Sequence, residues 1–234
     1  MLFHVVKQLP LCISLERSAS FSNTYVSEAN RSLVDYLQKL SPHSDADSFF
    51  LWGSQGSGVT HLLEAIQNQQ SQRAIQYLPL GMLANCQPES VVEDVEKMDL
   101  VCIDDVQSIA GSAVWERHLF HLFNRLKDAG KPLIIGSHLP IRQLALQLPD
   151  LKSRFQSLAL YQLHSLTEAE KIQLLQYRAK KQGLLLPNEV AQFLMQRVSR
   201  SSGHLIHMLE TLDRESLSAQ RRLTIPFVKT VLDL

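Results

Sequence analysis

The sequence predicts an α/β fold: a parallel five-stranded sheet flanked by helices, followed by a small helical subdomain. Three observations predict it. Short apolar runs alternate with helical patterns through the first two thirds of the chain. A glycine-rich loop, GSQGSGVT at residues 53–60, lies between one such run and a helix. After Leu166 the strand signals stop and only helical patterns remain.

Each element follows from local pattern. Residues 1–20 read as a short tail. Residues 30–40 place Leu33, Val34, Leu37 and Leu40 on one helical face, and the Ser-Pro-His-Ser-Asp run at 41–45 breaks it. Phe49, Phe50, Leu51 and Trp52 form a continuous apolar run, the mark of a strand buried on both faces. Residues 61–68 form the helix after the glycine loop. Residues 74–80 are a second strand, and Pro88 and Glu89 begin a short acidic helix. Residues 99–105 form a third strand ending in two carboxylates. Residues 113–128 form a long helix stopped by Gly130. Residues 133–136 and 158–163 are the fourth and fifth strands. Thr167 and Glu170 make a capping box for the next helix, which Gly183 closes. Asn188 is expected to cap another helix, and two more follow. The boundaries are a tail at 1–20, an α/β base at 21–165 and a helical lid at 166–234.

Composition narrows the function classes. With 23 Lys+Arg against 23 Asp+Glu, the 234-residue chain has no net charge to drive strong, sequence-independent DNA binding. Cys12, Cys86 and Cys102 are odd in number and far apart, which suits a reducing compartment rather than a disulfide scaffold or zinc site. The N-terminus lacks the pattern of a signal peptide, and no run nears the roughly 20 apolar residues that span a bilayer. A cytoplasmic protein without a membrane partner is expected.

The glycine loop carries the first site. Gly53, Gly56 and Gly58, with Ser54, Gln55 and Ser57 between them, can turn backbone N–H groups toward a phosphate at a helix N-terminus. The spacing is that of a P-loop, but Val59 fills the lysine slot. Thr60 keeps the hydroxyl that binds Mg²⁺ in such loops, and His61 follows it. The loop is suited to hold a nucleotide and poorly equipped to hydrolyse one. Asp104 and Asp105 end an apolar strand, where one acid holds Mg²⁺ and a second orients an attacking water; the alternative is a solvated strand end. Arg154 is either a surface residue or an arginine finger acting on a neighbour's γ-phosphate. Gln8, Leu9, Pro10, Leu11, Cys12 and Ile13 form an alternating apolar segment, read as a tail or as a linear peptide for a partner's groove. His204 and His207 lie three apart without a third ligand, an ordinary helix face. Trp52, Trp115, Phe120 and Phe123 are assigned to the core.

Together these residues resemble the AAA+ core of the bacterial replication initiator DnaA, over residues 21 to about 220. Phe21 to Val26, with Asn30, is similar to the family's opening segment, which forms part of the adenine pocket; this implies that Tyr25, Val26 and Asn30 hold a nucleotide. Residues 51–63 resemble its Walker A region, and Ile103-Asp104-Asp105-Val106-Gln107 its Walker B region. Phe120, His121, Asn124 and Leu126 resemble the helix that follows, and residues 151–155 resemble box VII, whose arginine is the finger. DnaA's helix-turn-helix domain has no counterpart, and QLPLCI at the front is similar to a clamp-binding motif. That combination, with residues 219–229, resembles the Hda branch, the regulatory inactivators of DnaA.

The departures shape the expectation. Besides Val59, Ser137-His138 replaces the Ser-Asp of the sensor-1 position, and Gly203, beside His204, occupies the sensor-2 arginine position. The resemblance implies an ADP-bound protein, with Mg²⁺ held by Thr60 and Asp104, and intrinsic ATPase weak or absent. It implies docking on the DNA-loaded β sliding clamp of DNA polymerase III through Gln8, Leu9, Leu11 and Ile13. It further implies presentation of Arg154 in trans to ATP on DnaA, hence negative regulation of replication initiation. Head-to-tail association could instead place Arg154 against a second copy in a homo-oligomer. The alternatives are an autonomous DnaA-like ATPase or helicase loader and, against the neutral charge, a DNA-binding module.

Overall fold

The structure is a computed structural model that describes residues 19–40, 48–69, 74–197 and 202–233. Five parallel strands, β1 (Phe49–Trp52), β2 (Ile75–Pro79), β3 (Leu100–Asp104), β4 (Leu133–Ser137) and β5 (Ala159–Gln162), form one sheet in the order β2-β3-β4-β1-β5. Register pairs Phe49 with Ile134 and Ala159, and Cys102 with Ile134. β3 and β4 are buried along their whole length, as continuous apolar runs require, whereas the edge strand β5 is mostly exposed.

Side chains alternate between two cores, following the two-residue period of a strand. Phe49, Leu51, Leu100, Cys102 and Ile134 face α1 (Arg31–Gln38) and α2 (Val59–Asn68), meeting Leu33, Val34, Leu37, Leu62, Leu63 and Ile66. Phe50, Val101, Ile103 and Ile135 face the opposite way. There they meet Trp115, Leu119 and Leu122 of α5 (Ala113–Asp128), and Leu151 and Phe155 of α6 (Pro149–Gln156). Two short helices, α3 (Leu80–Leu83) and α4 (Pro88–Val92), close this side.

The lid comprises α7 (Glu168–Lys181), α8 (Asn188–Arg197), α9 (Ser202–Ala219) and α10 (Ile225–Leu232) around a separate core containing Leu175, Val190, Leu194, Leu205, Leu209 and Val228. Each fully buried Leu stabilises by about 1.5–3 kcal/mol. Among the described residues no helix is long and apolar enough to cross a membrane.

Most boundaries agree with the pattern reading. α5 has the expected bounds, and Gly130 (φ 63°) ends it in the left-handed region. The Thr167–Glu170 capping box is formed. Three differences stand out. A 3-10 turn at Glu28–Asn30 precedes α1, so the regular helix starts at Arg31. Asn188 does not cap α8, because the Pro187 carbonyl accepts the N–H groups of Val190 and Ala191, putting Asn188 inside the first turn. α3 and α6 had no expectation at all. Ala19 is fully buried and its carbonyl accepts Asn68 Nδ2 at 2.9 Å, which packs the segment before α1 against the end of α2.

Gly136 is dictated by packing between β4 and α2. A Cβ there would meet Leu63 Cδ1 at 2.5 Å and Asp104 Oδ1 at 2.7 Å. Gly136→Ala is therefore expected to destabilise by about 1–3 kcal/mol, seen as a lower urea midpoint; an unchanged midpoint would show that α2 can retreat freely.

Candidate functional site

The glycine loop leaves β1 at the carboxyl end of the sheet, where open parallel sheets take ligands. Gly53 N–H donates to Ser137 O at 3.1 Å, fixing the loop to β4. A Cβ at Gly53 would lie 2.5 Å from Ser57 Oγ and 2.6 Å from Leu163 O, so only glycine fits. Gly56 (φ 79°) and Gly58 (φ 107°) adopt left-handed conformations, and Gly58 is the N-cap of α2. Above the loop lies a cavity of about 380 Å³, closed on one side by the lid.

Gly56, Ser57, Gly58, Val59, Thr60 and His61 line this cavity, with Tyr25 and Asn30 from the segment before α1 and Gly203 from α9. Gly53, Ser54 and Gln55 belong to the same loop but stand back from the cavity. Val26 packs on the α1–α2 core instead, and His204 is exposed. Ser57 Oγ is buried without a partner. A left-handed glycine cradle with an orphaned buried hydroxyl at a helix N-terminus fits an anionic phosphate. Nothing lies within 4 Å of a Cβ at Gly203, so packing does not dictate glycine there.

Val59 shows why the lysine slot matters. Its side chain is sunk in the core beside Leu63 and Gly136 rather than reaching over the loop. Asp104 and Asp105 lie behind the loop and do different things. Asp104 is almost fully buried and accepts from Tyr77 Oη at 3.0 Å, from Asp105 N at 2.9 Å and from the Thr60 hydroxyl. Burial raises its pKa and the Asp105 charge adds to this, while those hydrogen bonds oppose it.

Asp105 is left-handed (φ 55°), and its Oδ1 takes His138 Nε2 at 3.0 Å and Gln107 Nε2 at 2.8 Å. The His138 contact holds its carboxyl below the usual range, and Asp105 raises His138 in return. Gln107 Oε1 accepts Ser137 Oγ at 3.0 Å and His138 N at 3.1 Å, completing a latch between the ends of β3 and β4. The Asp105 carboxylate is thus already engaged within the protein.

The segment before α1 knits base to lid. Thr24 Oγ1 donates to Ser20 O, so it must accept from His61 Nε2 at 3.0 Å. Burial, then the Arg178 charge, lower the His61 pKa to about 4, leaving it neutral at pH 7. Tyr25 donates to Gln173 of α7 and meets the Tyr177 ring edge-on, 6.3 Å between centroids. Asn30 makes two bonds to the His164 backbone, at 2.8 and 2.9 Å.

Arg154 does not line this cavity. It lies in the last turn of α6, half-buried, with its guanidinium 5.9 Å from the Phe120 ring centroid. Gln8, Leu9, Leu11 and Ile13 lie outside the described residues. Among the described residues no group of three or more His, Cys, Asp or Glu could hold a metal ion. Sequence reading named Gln107 only within the Walker B resemblance and gave it no role, and it missed the buried Arg178 of α7, which lines the cavity. A charge between Leu174, Leu175 and Ala179 on a buried helical face was the available signal for Arg178.

Comparisons with known proteins agree with the fold. Residues 15–161 match the bacterial DnaA ATPase domain, and residues 168–232 match the Hda lid domain. An uncharacterized protein of Haemophilus influenzae is 43% identical over 231 residues, covering 97% of this chain and 99% of the relative. Domain III of DnaA from Thermotoga maritima superposes with a TM-score of 0.78 at 24% identity, covering 94% of this chain and 98% of that one. AMPPCP-bound DnaA from Aquifex aeolicus gives 0.72 at 21% identity, covering 88% and 68%. At those identities the two structures show the fold, while the family models reach nearly the whole chain. The chain belongs to the DnaA-like AAA+ ATPase family and carries an Hda lid.

Proposed function

We propose that this protein is a negative regulator of replication initiation. It holds ADP in the cavity, docks on the DNA-loaded β sliding clamp in the cytoplasm, and stimulates ATP hydrolysis by DnaA in trans through Arg154. The observation that carries this reading is the separation of parts. The chain's own loop has a core valine in its lysine slot and an engaged Asp105, while the arginine stands outside its own cavity. Mg²⁺ would be held by Thr60 and Asp104. When bound, it neutralises charge on phosphate oxygens. The glycine loop and Ser57 bind and orient the phosphates, and His138 and Gln107 restrain Asp105. No strong direct DNA binding is expected from a chain of zero net charge.

The test is a reconstitution with full-length protein, DnaA-ATP, clamp and DNA. Hydrolysis is expected only when all are present, with ADP as the nucleotide that co-purifies. The retained glycine cradle and Thr60–Asp104 pair support a second reading, an autonomous ATPase. Clamp-independent ATP turnover by the isolated protein would select that reading. The docking segment has its own test. Gln8→Ala with Leu9→Ala is expected to abolish retention on immobilised clamp without altering nucleotide binding, and unchanged retention would remove that role from residues 8–13.

A further inference from the structure

We propose that Arg178 supplies, from the lid, the cationic contact to the phosphates of the nucleotide in the cavity, in place of the positive charge missing from the phosphate loop. This rests on the nucleotide reading above and adds to it the residue that reads the ligand's charge. Arg178 is 5% exposed, and a guanidinium taken that far out of water needs acceptors for its donors. One is supplied: Nη1 donates to Asn23 O at 3.1 Å. Nε is buried and has no partner, on a side chain that lines the cavity.

Three further facts favour an anionic ligand beside this guanidinium. Among the described residues lining the cavity, Arg178 is the one lysine or arginine. Its charge depresses the His61 pKa, so Arg178 lies near His61, which lines the same cavity in the first turn of α2. The side chain is also preorganised. Besides the Asn23 bond, the adjacent Tyr177 Oη donates to Ser22 O at 2.8 Å, pinning this turn of α7 to the segment before α1. A fixed guanidinium with a spare donor binds an anionic oxygen without first losing rotamer freedom. The contact comes from α7 and the cradle from the base, so ligand charge and lid position are linked.

Calorimetric titration of the full-length protein with ADP and with adenosine tests this. Wild-type protein must first bind ADP; if it does not, the nucleotide reading itself fails. Given that binding, Arg178→Gln is expected to weaken ADP by about 10- to 100-fold and leave adenosine within about twofold. Arg178→Lys keeps the charge without the planar fork and should recover part of the ADP loss. It also serves if the glutamine variant does not fold. The salt dependence of ADP binding should flatten in Arg178→Gln and persist in Arg178→Lys. Equal losses for ADP and adenosine, or unchanged ADP affinity, would overturn the proposal and leave Arg178 as a strap between lid and base.

Discussion

An Arg154→Ala protein is expected to bind nucleotide and clamp like its parent and to lose stimulation of DnaA-bound ATP hydrolysis by about 10³-fold or more. The size follows from the chemistry: a guanidinium placed on a transferring phosphoryl group stabilises charge that exists only in the transition state. The structure makes the effect separable from folding. Arg154 is half-buried at the end of α6, and its visible side-chain contact is the Phe120 ring. Such a contact is worth about 0.5–1 kcal/mol at an exposed site. The stability of the variant should therefore change little, while single-turnover hydrolysis with clamp and DNA should collapse. Arg154→Lys should rescue it poorly, because an ammonium cannot match the planar fork against phosphate. Undiminished hydrolysis by Arg154→Ala would remove the finger from this residue.

That assignment was open to sequence reading only in part, and the reason is physical. Strands β1, β3 and β4 were legible because a strand buried on both faces must be continuously apolar. The glycine loop was legible because its conformations exclude other residues. α6 was not: within PDLKSRFQ only Leu151 and Phe155 are buried, too few to show a helical period. The start of α8 misled because Asn188 is a good capping residue standing one place after the carbonyl that does the work. Within the site, the cradle and Thr60 could be named from spacing. The latch of Asp105 by His138 and Gln107 could not, since it joins the ends of two strands that are adjacent only in the folded sheet. Arg178 depended likewise on how α7 meets the segment at Ser22 and Asn23.

Glu116→Ala is expected to cost about 3–5 kcal/mol, the second large effect, and to act on the same helix that carries Arg154. Glu116 is fully buried in α5, yet its carboxylate is well satisfied. It accepts from Gly111 N at 2.7 Å, from Gln147 N at 2.8 and 3.1 Å, and from Leu148 N at 2.6 Å. Leu148 is the N-cap of α6, so this carboxylate fixes where that helix begins. Alanine would orphan three backbone N–H groups. Each orphan costs about 1–3 kcal/mol, against a whole-domain stability of about 5–15 kcal/mol. Glu116→Gln keeps the shape but turns an NH₂ group toward one of the donors, so an intermediate loss is expected. Urea unfolding should show the loss of midpoint, and hydrogen exchange should rise at residues 147–156 before the sheet opens. If exchange there is unchanged and the midpoint falls by less than about 1 kcal/mol, water has replaced the carboxylate and α6 holds its place without it. If exchange rises as expected, stimulation of DnaA should fall in Glu116→Gln even under conditions where the protein remains folded, because Arg154 is then presented from a helix whose entry is no longer fixed.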